Sequence, residues 1–185
     1  DAAEYREAIL KSMDAATFLH DGVKIIPMEP ETRRIAKESH YRGGDYYSLV
    51  GSSVLETEFL APSDRRAELI SNLIQNHGGL IAGVCRFNPG IDHAYSYGYL
   101  LTQLKRGDAR RFLLGFYGML AYGMTRDTYS GVEVTNAFTG ENDATLPHQY
   151  SCTMQAQMLR TMLLREDGDT LQLGEIEGLH HGTFR

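Results

Sequence analysis

Three stretches of this 185-residue chain gather side chains suited to a polar ligand, the second of them to a polyhydroxylated one. The first is Arg86-Phe87-Asn88-Pro89-Gly90-Ile91-Asp92-His93, with Tyr95, Tyr97 and Tyr99 just beyond. The second follows an apolar segment and carries Tyr129, Glu133, Asn136, Thr139, Glu141, Asn142, Asp143, His148, Gln149 and Tyr150. The third is His40-Tyr41-Arg42-Gly43-Gly44-Asp45-Tyr46-Tyr47. Carboxylates accept hydrogen bonds from hydroxyl groups, amides give and accept them, and tyrosine adds a ring that can stack. Each cluster has an equally physical structural reading. Asp45 and Asp92 stand where a helix could begin, so either can cap exposed N–H groups instead of meeting a ligand. The second cluster can be a solvated loop folded on its own Asx turns.

Other chemistries find no support in the residue order. There is no phosphate-binding GxxxxGK[ST], no dinucleotide GxGxxG after a strand, no GxSxG nucleophile elbow and no HExxH. The sequence therefore calls for no cofactor and offers no paired metal-ligand spacing. His180-His181 is a terminal pair. A net charge of −6 argues against nucleic acid as a partner. No apolar run reaches the roughly 18 residues that a membrane helix needs, so no membrane partner is expected. Cys85 and Cys152 are compatible with one disulfide or with two structural thiols. Mean hydropathy is −0.32, the value of a globular chain.

The clusters must be positioned by what lies between them. Apolar spacing predicts helices over Ala2–His20, Asp45–Phe59, Asp64–Asn76, Ile91–Lys105, Ala109–Met124 and Ser151–Arg165. Asp21-Gly22 reads as the stop of the first helix. Glu31–Glu38 has room for one or two helical turns, and Ser63 and Asp108 read as N-caps. Leu80–Gly90 reads as extended, and Thr170–Ile176 as a weak strand. Met154, Met158 and Met162, four residues apart, read as core. Helices joined by tight turns, with long loops between pairs, predict an all-α fold of antiparallel αα-hairpins in a single domain over residues 1–185. Asp45–Phe59 is expected to pair with Asp64–Asn76, and Ile91–Lys105 with Ala109–Met124.

The order of motifs resembles the six-hairpin glycosidases, the (α/α)6-toroid enzymes that include the α-L-rhamnosidases. The resemblance rests on Gly44-Asp45-Tyr46-Tyr47, Asp92-His93-Ala94-Tyr95-Ser96-Tyr97-Gly98, Leu104-Lys105-Arg106-Gly107-Asp108, Phe112–Ala121, Thr139-Gly140-Glu141 and Leu146-Pro147-His148-Gln149. It spans about Gly43–Leu173. It implies the C-terminal portion of a glycoside hydrolase acting on glycosides or oligosaccharides through two carboxylates. On that analogy Glu141 is the general acid or acid/base and Asp92 its partner carboxylate or a ligand to sugar hydroxyls, with Glu133 and Asp143 as alternates. Asp45, Tyr46, Arg86, His93, Glu133, Asn142, His148 and Gln149 would hold the carbohydrate ligand. The chain supplies about half the helices of such a ring, so the resemblance implies either a further half or self-association. The alternative from another class is a non-catalytic, solenoid-like module of helical hairpins used for binding.

Overall fold

The computed structural model describes residues 1–27, 46–87 and 90–174. Six helices form within them: α1 (Ala2–Ala16), α2 (Tyr46–Glu56), α3 (Arg65–Asn76), α4 (Tyr97–Lys105), α5 (Ala109–Tyr122) and α6 (Gln149–Leu163). The caps are local and chemical. Asp64 Oδ1 accepts from the Arg66 N–H at 2.8 Å, so the cap of α3 is Asp64, not Ser63. Asp108 Oδ1 accepts from the Arg111 N–H at 3.1 Å and starts α5 as expected.

The all-α expectation is overturned by nine short strands, among the described residues, arranged in three antiparallel sheets. Strands β1 (Phe18–His20) and β2 (Val23–Ile25) make one hairpin. Strands β3 (Leu80–Ile81), β4 (Val84–Phe87), β5 (Gly90–Asp92), β6 (Val134–Asn136) and β7 (Asn142–Asp143) form a five-stranded sheet in that order. Strands β8 (Leu164–Asp167) and β9 (Thr170–Leu173) make the third. The fold is mixed α and β, and the described residues build no ring of helical hairpins.

The corrections have physical causes. Asp21-Gly22 is not a helix stop: both residues have positive φ (49° and 81°) and close a two-residue hairpin between His20 and Val23. That is the Asp-Gly turn whose twist matches paired strands. Ile91 and Asp92 do not begin a helix, because β5 is hydrogen-bonded on both sides, with Ile91 opposite Arg86 and opposite Thr135. Leu164 and Arg165 leave α6 for β8, whose partner begins at Thr170. Calls on Glu31–Glu38, Asp45 and His180-His181 lie outside the described residues.

One core unites helices and sheet. Leu55, Ile70, Ile74, Val84, Ile91, Leu100, Phe112 and Met119 share it with Met154, Met158 and Met162, all at most 8% exposed. Burial of such side chains contributes about 1.5–3 kcal/mol each. α4 packs closely on α2 and also on α5. Gly98 is required there, since a Cβ on it would stand 2.0 Å from the Ser52 carbonyl oxygen. Cys85 is buried and Cys152 half-buried, both as thiols, and burial pushes the Cys85 thiol up to about 12.

Candidate functional site

β5 and β6 are adjacent in the sheet, with Asp92 opposite Val134. The chain between them makes a 3-10 turn at Ala94–Ser96 and then α4 and α5. This crossover returns Glu133 to the end of β5, where the His93 N–H donates to the Glu133 carbonyl at 3.4 Å. Asp92 Oδ1 accepts from the N–H groups of Ala94 (3.0 Å) and Tyr95 (3.3 Å). The helix-capping reading of Asp92 is therefore met, on the 3-10 turn. Ser96 Oγ donates to the Asp92 carbonyl and accepts from the Cys85 N–H, which locks the turn onto β4.

Asp92 is 3% exposed. Burial pushes its carboxyl up to about 7; the two N–H donors pull the other way, and the charge of Glu133 adds to the rise. A carboxyl that holds its proton near neutral pH can donate it. Glu133 Oε2 accepts from the Thr145 N–H at 2.9 Å, which fixes the second carboxylate to the segment before α6.

Both carboxyl groups line one cleft of about 1010 Å³. That is the upper end of the range for small-molecule sites. Most of its wall among the described residues is apolar, including Ile9, Met13, Val54, Ile70, Leu73 and Phe87, while Asp92, Tyr95 and Glu133 bring polar groups together. Tyr150, near the start of α6, lies within electrostatic reach of Asp92, Tyr95 and Glu56. Burial raises the Tyr150 phenol above its ordinary value, and the charges of Glu56, Tyr95 and Asp92 add to the shift. Burial also raises the carboxyl of Glu56 at the end of α2.

His93 lies beneath this site and is fully buried. Burial lowers its imidazole to about 4, so it is neutral at physiological pH. Thr135 Oγ1 donates to the Tyr122 carbonyl at 2.7 Å and lies 3.4 Å from His93 Nε2. That network assigns the ring proton to Nε2. His93 thus braces β6 against the end of α5.

The other sequence candidates separate. Glu141 is exposed on the turn before β7, two strands from Asp92, and its carboxylate accepts from Thr139 Oγ1 at 3.1 Å. It is not in the described wall of the cleft. The carboxylate brought beside Asp92 is Glu133. Asn142 is exposed in β7, with its Oδ1 near Thr135 Oγ1 at 3.4 Å. His148 precedes α6, half-buried, and its Nδ1 meets Ser151 Oγ at 2.8 Å. Its charge also disfavours a cation on His93. Gln149 is exposed at the start of α6. Arg86 is half-buried in β4, with Nη1 3.5 Å from the Gly78 carbonyl. Tyr46 begins α2, and Asp45 lies outside the described residues.

Glu56 had no sequence signal, standing in an apolar helix pattern outside the three polar clusters. Tyr95 and Tyr150 did have one, since each stands within a polar cluster. Compared with protein-family models, curated proteins and solved structures, the chain matches none.

Proposed function

We propose that the chain is a carbohydrate-active protein that hydrolyses glycosides, with Asp92 as general acid and Glu133 as the partner carboxylate. One observation carries this reading: a buried carboxyl held protonated near pH 7 lies beside a second carboxylate on the wall of a ligand-sized cleft. Glycoside cleavage needs that pair, one group protonating the departing oxygen and one supporting charge or activating water on the sugar. Tyr95 and Tyr150 provide aromatic faces and hydroxyls at the same end. The largely apolar remainder of the wall favours a glycoside whose leaving group is itself apolar.

In the proposed reaction Asp92 delivers its proton to the glycosidic oxygen as the bond to the sugar carbon breaks. Glu133 remains ionised and faces the positive charge that develops on the sugar ring. Asp92, then a carboxylate, recovers a proton from the incoming water, which closes the cycle.

The test is turnover of aryl glycosides by the wild type, Asp92→Asn and Glu133→Gln. Both substitutions should abolish most turnover. Loss through Asp92→Asn should be least for the most acidic phenol leaving groups, which need no proton. A binding module would retain ligand in the same cleft with no turnover in any form, and that result would refute the enzymatic reading. Exposed Leu114, Tyr117 and Leu120 on α5 and Leu159 and Leu163 on α6 support the further proposal that the chain self-associates, which sedimentation checks directly.

A further inference from the structure

A second cluster of chemistry-bearing side chains stands outside the cleft wall. His20 ends β1, Asp21 opens the turn that follows it, and His77 is the C-cap of α3. One ligand atom from each lies within 4.8 Å of the other two. His20 Nε2 is 3.4 Å from Asp21 Oδ2. The imidazoles of His20 and His77 face one another with ring centres 4.7 Å apart. His20 Nε2 is buried and makes no hydrogen bond.

We propose that His20, Asp21 and His77 bind a divalent transition-metal ion, with Zn²⁺ the best fit. The distances carry the argument. Zinc takes imidazole nitrogen and carboxylate oxygen at about 2.0–2.2 Å, so two such ligands at a tetrahedral angle stand about 3.4 Å apart. The His20–Asp21 separation already has that value. Small rotations about side-chain bonds bring His77 in from at most 4.8 Å. Two imidazoles exclude Mg²⁺ and Ca²⁺ as preferred ions, since those take oxygen ligands. The Asp21 side chain is 67% exposed, so water can enter as the fourth ligand.

The backbone presets the site. The Asp21-Gly22 turn holds Asp21 beside His20. The β1–β2 hairpin is docked on α3 by Asn72 Nδ2, which donates to the Lys24 carbonyl at 3.2 Å, and by Ile25 against Leu73. Two three-residue strands are marginal on their own. A metal shared between the hairpin and the end of α3 would fasten this element to the core, because metal affinity becomes folding free energy. This proposal does not rest on the glycoside reading.

Co²⁺ serves as the probe, since a tetrahedral site gives it visible absorption. The full chain should take up one equivalent, displaced by Zn²⁺. Removing a group that only orients a ligand costs about 10–100-fold in affinity, so losing a ligand should cost at least about 100-fold. This is expected for His20→Gln, His77→Gln and Asp21→Asn. Asp21→Asn is the decisive variant. Asn-Gly suits the same turn, so the hairpin persists while the charged ligand is lost. No visible band with the wild type, or equal affinity in the wild type and the three variants, would overturn the proposal. Glycoside turnover is read separately on the same samples.

Discussion

The Asp92–Glu133 region and the α1–hairpin region solve the problem of placing polar groups in opposite ways. Asp92 is on a strand paired on both sides, backed by a buried histidine and a core shared by five helices and the sheet. Its position is overdetermined, and the sheet forces a carboxyl into a place where charge is disfavoured. α1 has a single fully buried residue, Ala16, and rests on partly buried Leu10 and Met13. It is fastened by polar contacts: Arg66 takes Asp14 through Nε (2.9 Å) and Nη2 (2.6 Å), and Arg6 lies 4.6 Å over the Phe59 ring. The first region holds a desolvated carboxyl in place by packing; the second is held loosely enough to need fasteners.

The largest effect expected is on turnover. Loss of a general acid costs about 10²–10⁴-fold, so Asp92→Asn should lower kcat for poor leaving groups by that factor. Activity should also fall as pH rises above about 7, as Asp92 gives up its proton. An unchanged rate would dissolve the contrast between the two regions. Next comes packing under the site. Gly98→Ala drives a methyl into the Ser52 carbonyl, and overpacking of this kind costs about 1–3 kcal/mol or more, read as a lower urea midpoint.

Stability against pH sharpens the comparison further. Asp92 holds its proton up to about pH 7 when folded, against 3.8 ordinarily. Between those values the unfolded chain releases the proton and the folded chain does not, so this group lowers stability as pH rises through that window. His93 works oppositely. Its folded value of about 4 lies below 6.5, so stability is lost as pH falls from 6.5 towards 4. The two slopes oppose one another in the wild type. Asp92→Asn should unmask the histidine slope, and should stabilise the protein at pH 8 by up to about 4 kcal/mol. Denaturant unfolding at pH 5, 6.5 and 8 measures this. The smallest effect belongs to the periphery. Arg66→Ala should cost about 1 kcal/mol or less globally. It should nevertheless speed hydrogen exchange in α1 while leaving β5 and β6 protected.

How much could be read in advance follows the same division. α3 and α5 were legible because a capping residue precedes an apolar period in each, Asp108 for α5 and, one residue early, Ser63 for α3. Within the Leu80–Gly90 stretch, the extended character of Leu80–Ile81 and Val84–Phe87 was legible. Ile91 and Asp92 were not, because their strand identity is conferred by β6, far along the chain. Phe18–His20 and Leu164–Arg165 continued the helical period by accident of composition. Strands of three or four residues are too short to show an alternation of their own. The Asp21-Gly22 turn did carry a hairpin signal, which the helix-ending role of glycine obscured. Asp92 was legible as a special position in the sequence; the preference for Glu133 over Glu141 was decided by sheet register alone.

The excursion of the chain between β5 and β6 has a consequence for the order of events in folding. Asp92 and Glu133 are neighbours in space only after α4 and α5 have been made and laid down. Closing so long a segment costs entropy before any contact between its ends repays it. During synthesis the α4–α5 hairpin can form from local contacts as soon as it emerges, while the two carboxylates stay strangers until β6 is added. The α4–α5 scaffold can thus stand folded before the two carboxyl groups meet, and the proposed site is completed only when β6 has joined β5.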